Sequence, residues 1–274
     1  MSERFVADAE RRFGGLRRLY GWHGAQRLFD AHVMVVGVGG VGSWVAEALA
    51  RSGVGHITLV DMDHVSESNI NRQLHALTPT LGQSKVEAMR DRIGLINPQA
   101  VVQVVDDFVT PDNWLALVDA ASTTSALRAV VDACDQTAAK VAMASWALRA
   151  PVHFLTVGAA GGKTQAHRVE VADIAETTHD PLLAQLRYRL RKNGHAPRQG
   201  PIGLAGVFSR ETVKQPDTAC DATDGSLNCH GYGSSVAVTA CFGMAAAGWV
   251  MDAIASDKKP EKNRRLSKVK KNTL

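Results

Sequence analysis

Six polar side chains follow one glycine-rich turn at close spacing: Asp61, Asp63, Asn69, Asn71, Arg72 and Lys85, and a seventh, Asp135, comes fifty residues later. An arginine offers a planar fork of donors and a lysine a compact charge, and both suit phosphate oxygens. A carboxylate at a strand end accepts hydrogen bonds from ribose hydroxyls. A second carboxylate, Asp135, suits a hard cation such as Mg²⁺ held against phosphates. Two phosphates can be satisfied by a helix terminus alone, whereas a third calls for more positive charge, which Arg72 and Lys85 could supply. The set points to a triphosphate with a metal. Bland readings compete for single members: Arg72 and Lys85 as surface charges, Asp135 as the cap of a helix starting at Gln136.

These residues need elements to hold them. His32–Val36 reads as an apolar strand running into Gly37-Val-Gly39-Gly40-Val-Gly42 and then into a helix, Trp44–Arg51, ended by Gly53. Glycines allow close backbone approach to phosphate, and the helix start offers unpaired N–H groups and partial positive charge. His56–Val60 is the next strand, and Asp61 follows Gly42 by nineteen residues. By itself this βαβ unit fits a nicotinamide dinucleotide equally well.

Further strands are read at Val101–Val105, Leu127–Val131 and Val152–Val157, with helices at Gly82–Ile96, Pro111–Ala120 and Gln136–Arg149. One or two short helices fill Arg11–Asp30. The alternation predicts an α/β chain, a Rossmann-like, doubly wound, mostly parallel sheet with helices on both faces. After Gly158 the period fails. A strand of different character at His167–Val171, a basic helix at Asp180–Lys192 and a Gly/Pro-rich loop at Asn193–Gly203 are expected there. Residues 158–233 are read as a C-terminal elaboration over the mouth of the sheet, inside one domain of residues 1–255.

Ser235–Ala255 is long and apolar, but its Ala and Gly content and Asp252 suit a buried helix better than a membrane span. Residues 256–274 carry eight Lys or Arg and two acids, so the net +4 leaves −2 on the rest. This tail has no apolar period and is expected to be disordered. Of the four cysteines, Cys134, Cys220, Cys229 and Cys241, none forms a Cys-x-x-Cys pair. That disfavours a secreted disulfide framework and a four-thiolate zinc site, and a reducing cytoplasm is the expected home. Cys220 and Cys229 lie in an irregular Gly- and Asp-rich stretch and read as incidental thiols.

The ordered set Gly37-Val-Gly39-Gly40-Val-Gly42, Val60-Asp61-Met-Asp63, Ser68-Asn69-Ile-Asn71-Arg72-Gln73, Gly82…Lys85 and Asp132-Ala-Cys-Asp135 resembles the ubiquitin-activating-enzyme superfamily, with its ThiF-like adenylating enzymes of thiamine and molybdopterin synthesis. Flanking motifs are similar to the tRNA threonylcarbamoyladenosine dehydratases: Arg12-Phe13-Gly14-Gly15…Leu19-Tyr20-Gly21, Val105–Asn113, Gly158-Ala-Ala-Gly161-Gly162 and Gly231-Tyr-Gly233-Ser. The resemblance implies ATP-dependent cyclisation of threonylcarbamoyladenosine in tRNA by a homodimer, with no nicotinamide. It implies that Asp61 holds the ribose, that Asn71, Arg72 and Lys85 hold the phosphates, and that Asp135 holds Mg²⁺. It leaves room for a monovalent cation (Na⁺ or K⁺) and for a sulfur-transfer or cysteine desulfurase-type partner. The alternative is an adenylating enzyme for the C-terminus of a ubiquitin-like or sulfur-carrier protein. Those enzymes usually carry two zinc-binding Cys-x-x-Cys pairs, which are absent here. The arginines and lysine of the basic helix (Arg187, Arg189, Arg191, Lys192), with His195 and Arg198, form a candidate RNA-contacting patch, and the basic tail is a second.

Overall fold

A computed structural model describes residues 7–215 and 232–259. Cys220, Cys229, most of the basic tail and Gly231 of the flanking motifs therefore lie outside the described residues. Seven strands are present: β1 (His32–Val36), β2 (His56–Val60), β3 (Val101–Val105), β4 (Leu127–Asp132), β5 (His153–Val157), β6 (Val169–Asp173) and β7 (Ala205–Ser209). They form one sheet in the order β3-β2-β1-β4-β5-β7-β6. All neighbours run parallel except β6, which pairs antiparallel with β7.

The central strands are short apolar runs because both faces are covered. One face carries α1 (Ala9–Phe29), α2 (Gly42–Arg51), α3 (Lys85–Ile96) and α7 (Val236–Ala255). The other carries α4 (Trp114–Ser122), α5 (Thr137–Ala147) and α6 (Pro181–Lys192). Alternate residues of β1 divide between them: Val33 and Val35 enter the first core, Met34 and Val36 the second. This is the α/β, doubly wound sheet expected from the sequence.

The strand order reverses between β1 and β4. Ligands in such sheets bind at that crevice, beyond the carboxyl ends of the strands. The glycine turn after β1 and the loop after β4, which carries Asp135, meet there. Gly37 has φ 84°, and a Cβ on it would lie 2.9 Å from the Ala133 carbonyl and the Cys134 nitrogen. A Cβ on Gly42 would overlap the Gly37 carbonyl oxygen. Only glycine lets the two loops pack this closely.

The first helix, Ala9–Phe29, is kinked at Gly21, where φ is 71°, which agrees with one or two short helices over this stretch. Several boundaries differ from the sequence reading. The helix expected from Gly82 starts at Lys85, because Gly82 is left-handed (φ 83°) and Ser84 is extended. The helix expected from Pro111 starts at Trp114, after Asn113 closes a turn onto Thr110 and Phe108. The strand expected at His167–Val171 is shifted to Val169–Asp173, and β7 was not anticipated. Within 158–233, residues 169–209 therefore extend the sheet by two strands, rather than only covering its mouth.

Helix α7 is long and apolar enough to cross a bilayer, and half of its most apolar stretch is buried inside the protein. It packs along α2 and α1 and across β5 and β6. Gly243 makes this possible, since a Cβ there would lie 2.6 Å from Trp44 Cβ and 2.8 Å from the Val41 carbonyl.

Candidate nucleotide site

Helix α2 begins at Gly42, and its N-cap Val41 makes no side-chain capping bond. No acidic residue lies in its first turn. Backbone carbonyls of Gly39 and Val41 take the Ser43, Trp44 and Val45 N–H groups, and no side chain caps the start of the helix, beside a turn with no Cβ on Gly39 or Gly40. That is an anion site in the making.

Asp61 flanks this turn. Its Oδ2 accepts the Val38 N–H at 2.6 Å and its Oδ1 accepts the Asp63 N–H at 2.9 Å. The carboxylate therefore fixes the entry to the glycine turn while keeping acceptor capacity for a ligand. Burial pushes its pKa up, opposed by Lys85 and by the two N–H donors. Lys85 is buried in the first turn of α3. Its Nζ lies 2.6 Å from Asp63 Oδ2 and 4.0 Å from Asp61 Oδ1. The surface-charge reading of Lys85 fails, since only 3% of the residue is exposed.

Arg72 also packs against this turn. Its Cγ and Cδ pass 3.4 and 3.5 Å from where a Cβ of Gly40 would be, so the side chain lies across the glycine turn. Its Nη1 donates to the Ser68 carbonyl at 2.6 Å and to Asn71 Oδ1 at 2.9 Å. Trp44 Nε1 donates to the Arg72 carbonyl at 3.1 Å, which ties this segment to α2. Arg72 is half-buried. Asn71 donates from Nδ2 to the Ser234 carbonyl at 3.0 Å, so its amide links Arg72 to the start of α7. Asn69 is buried, and its Oδ1 accepts the Ser66 N–H at 3.0 Å, shaping the short turn that carries Arg72.

Asp135 is exposed on the loop after β4. Helix α5 starts at Thr137 with Gln136 as its N-cap, and no side-chain capping bond is made, so Asp135 does not cap that helix. Among the described residues no group of three or more His, Cys, Asp or Glu side chains could hold a metal. Asp135 lies on the loop whose Ala133 and Cys134 pack against Gly37, and one exposed carboxylate there fits the chemistry of Mg²⁺, which keeps several waters and takes one or two carboxylates plus phosphates.

Sequence reasoning missed the most buried charges near this edge. Lys140 and Asp132 form an ion pair at 3.1 Å with neither side chain exposed. Lys140 stands alone as a cation in an Ala-rich helix, Thr137–Ala147, and that isolation was the available signal. Behind β7, Lys163 Nζ donates to three carbonyls, those of His179, Ser209 and Glu211, at 3.1, 2.9 and 3.0 Å. Asp180 caps α6 through the Leu183 N–H and accepts the Ala159 N–H with its other oxygen, both at 2.9 Å. A cleft of about 620 Å³ lies elsewhere, near His153 and Trp249 at the opposite edge of the sheet. It contains none of the residues above.

A model of the ThiF family matches residues 14–274. The chain belongs to the ThiF family. Its ThiF-family relatives include the tRNA threonylcarbamoyladenosine dehydratase of Haemophilus influenzae, 40% identical over 258 residues, or 92% of this chain and 97% of that one. The Escherichia coli K12 protein of the same name is 44% identical over 253 residues, covering 88% and 92%. The crystal structure of the E. coli dehydratase in complex with ATP superposes with a TM-score of 0.81 at 41% identity, over 92% of this chain and 98% of that one. The ThiF-family glycine turn of this chain is thus seen with Asp61, Lys85 and Arg72 already gathered around it.

Proposed function

We propose that this protein catalyses the ATP-dependent dehydration of N6-threonylcarbamoyladenosine in tRNA to the cyclic derivative, with release of AMP and pyrophosphate. One observation carries the proposal: the uncapped start of α2, flanked by Asp61 and crossed by Arg72, lies in a chain similar over nearly its whole length to dehydratases of that name. Asp61 would take the ribose hydroxyls and the α2 amides the phosphates. Arg72 and Lys85 would neutralise charge as it builds in the transition state. Asp135 would hold Mg²⁺, which when bound supplies further charge neutralisation at the phosphates.

The substrate carboxylate is a poor acylating group. Its oxygen attacks the α-phosphorus of ATP in line, the bond to the bridging oxygen breaks, and pyrophosphate leaves. The neighbouring carbamoyl group then attacks the activated carbonyl within the same molecule, a five-membered ring closes, and AMP leaves. The net change is loss of one water. The protein mainly positions groups and supplies a fixed field. No enzyme thiol is needed. Cys134, next to the turn, donates its S–H to Asp132 Oδ1 at 3.0 Å, and burial with that carboxylate raises its pKa well above the ordinary thiol value.

The basic helix supports a tRNA-facing surface in narrower form than its sequence suggested. Arg187 is committed to the Ile174 and Thr177 carbonyls, and Arg191 to the Gly200 carbonyl. Tyr188 (61% exposed), Arg189 and Lys192 are left facing outward, with the Lys192 ammonium 5.7 Å from the Tyr188 ring centroid. Cations beside an exposed ring suit an RNA backbone and an unstacked base.

The test is to incubate the protein with ATP and tRNA bearing threonylcarbamoyladenosine and to weigh the nucleosides. Loss of one water from that nucleoside with matching AMP is expected. An unchanged tRNA, together with pyrophosphate exchange driven by a carrier protein, would refute the proposal.

A further inference from the structure

The fully buried ion pair behind the glycine turn is the largest charged feature near this site that the proposed reaction does not use. Lys140 Nζ has four oxygens around it: Asp132 Oδ2 at 3.1 Å, the Asp132 carbonyl at 3.5 Å, Thr156 Oγ1 at 3.1 Å and the Val157 carbonyl at 2.8 Å. Asp132 also accepts the Thr156 hydroxyl at 2.7 Å and the Cys134 thiol and N–H at 3.0 and 3.3 Å. Burying two charges is costly, and a well-packed apolar pair usually stabilises a fold as well or better. Stability alone is therefore a poor reason for this network.

Its location suggests another reason. Asp132 is the last residue of β4, and Val157 is the last of β5. Lys140 joins both strand ends from one turn inside α5. Between Asp132 and α5 run Ala133, Cys134, Asp135 and Gln136, and Ala133 and Cys134 are the atoms against which Gly37 packs. The bonds from Cys134 to Asp132 hold the short loop that carries Asp135, and the Lys140 bonds tie the start of α5 to the ends of β4 and β5 on either side of it. We infer that Lys140, with Asp132 and Thr156, is a positioning element for Asp135: it fixes the β4–α5 loop so that this carboxylate meets a metal held by the nucleotide phosphates. The inference rests on the proposed Mg²⁺ role of Asp135. It gives the buried pair a task on the phosphate side of the site and none on the ribose side.

The test separates those sides. Lys140→Met removes the ammonium. Thr156→Val keeps both charges and removes one bridging hydroxyl, so it stays folded if the more drastic variant does not. Mn²⁺ binding in the presence of ATP is followed by the loss of free-ion paramagnetic signal, and AMP binding without metal is followed by calorimetry. Disturbing groups that orient a metal ligand typically weakens metal binding by about 10- to 100-fold. Lys140→Met is expected in that range and Thr156→Val at a few-fold, with metal-free AMP affinity within about twofold of wild type in both. An unchanged Mn²⁺ affinity in Thr156→Val and in folded Lys140→Met overturns the inference. So does AMP affinity that falls in step with the metal, because the network would then support the fold at large. If wild-type protein binds Mn²⁺ and ATP normally but leaves tRNA unmodified, the proposed reaction fails while this inference stands.

Discussion

Replacing Lys85 with methionine should make nucleoside binding depend on pH, and the reason lies in Asp61. The two groups are 4.0 Å apart and both are largely buried. At an effective dielectric of about 20, unit charges at that distance interact by about 4 kcal/mol, equivalent to about 3 pKa units. Solvent reaching the half-exposed Asp63 side screens part of that attraction, so the Coulomb figure is an upper bound. Burial already holds the Asp61 pKa above its usual value, and Lys85 is the main force opposing it. Without Lys85 the carboxyl rises further and takes up a proton nearer neutrality. The ribose-accepting form is the carboxylate, so affinity is kept above the folded-state pKa and lost as pH falls through it. Adenosine or AMP, rather than ATP, isolates the ribose end from any phosphate role of Lys85. Calorimetric titrations across the acid range should show the binding midpoint of Lys85→Met displaced upward relative to wild type, by no more than that Coulomb bound. The double variant Asp61→Asn/Lys85→Met should lose the displacement, as expected for directly coupled groups. A Lys85→Met profile parallel to wild type, merely weaker at every pH, would refute the electrostatic argument.

Four further outcomes are expected. Arg72→Ala should abolish turnover with only a modest loss of ATP affinity, because its contribution grows as charge develops; an unaltered rate would exclude that role. Gly37→Ala forces a left-handed φ of 84° and a 2.9 Å contact on the β4–α5 loop, so it should cost at least 1–3 kcal/mol in urea unfolding, by the usual scale of such strain, and lower ATP affinity. His75 is buried with neither ring nitrogen hydrogen-bonded, and burial, then Lys85 and Arg92, lower its pKa from 6.5 to about 4. The unfolded chain takes up this proton first, so stability is complete above pH 6.5 and falls by about 3 kcal/mol towards pH 4; His75→Leu should flatten that slope in urea midpoints. Tyr188→Ala with Arg189→Glu and Lys192→Glu should reduce the salt dependence of tRNA binding by a slope of about 1.5–2 and leave ATP binding unchanged.

Much of this architecture could be read directly from the residues. Strands such as HVMVV and HITLV are short, mostly apolar runs, which both-face burial requires; a glycine turn follows the first and glycines precede the second. The carboxylate after β2 was legible because its place follows from the βαβ unit. Strand β7 was not. It is five residues long and contains Gly206, which reads as loop punctuation. Yet a Cβ there would lie 2.8 Å from Ile174 Cγ2, so the glycine serves packing under α6. Asn69 and Asn71 looked alike in sequence, but one is buried in a turn and the other links Arg72 to Ser234. That division depends on where α7 returns, some 160 residues later. Lys140 and Lys163 were hidden for a similar reason, since their partners, a carboxylate, a hydroxyl and backbone carbonyls, come from other strands and loops, which no local pattern reveals.

The Cys134 thiol has a consequence for how the protein withstands oxidants. Peroxides and alkylating agents react with thiolates, and reactivity follows thiolate content and access. Here the S–H is spent on a buried carboxylate that repels a second negative charge. The Cys134 sulfur, on the loop that packs against the glycine turn, is thus protected by its own hydrogen bond. Sulfenic acid or a mixed disulfide at that position would have to break the Asp132 network first. Nucleotide binding should therefore persist under oxidative conditions that disable enzymes with an ionised cysteine in the active site.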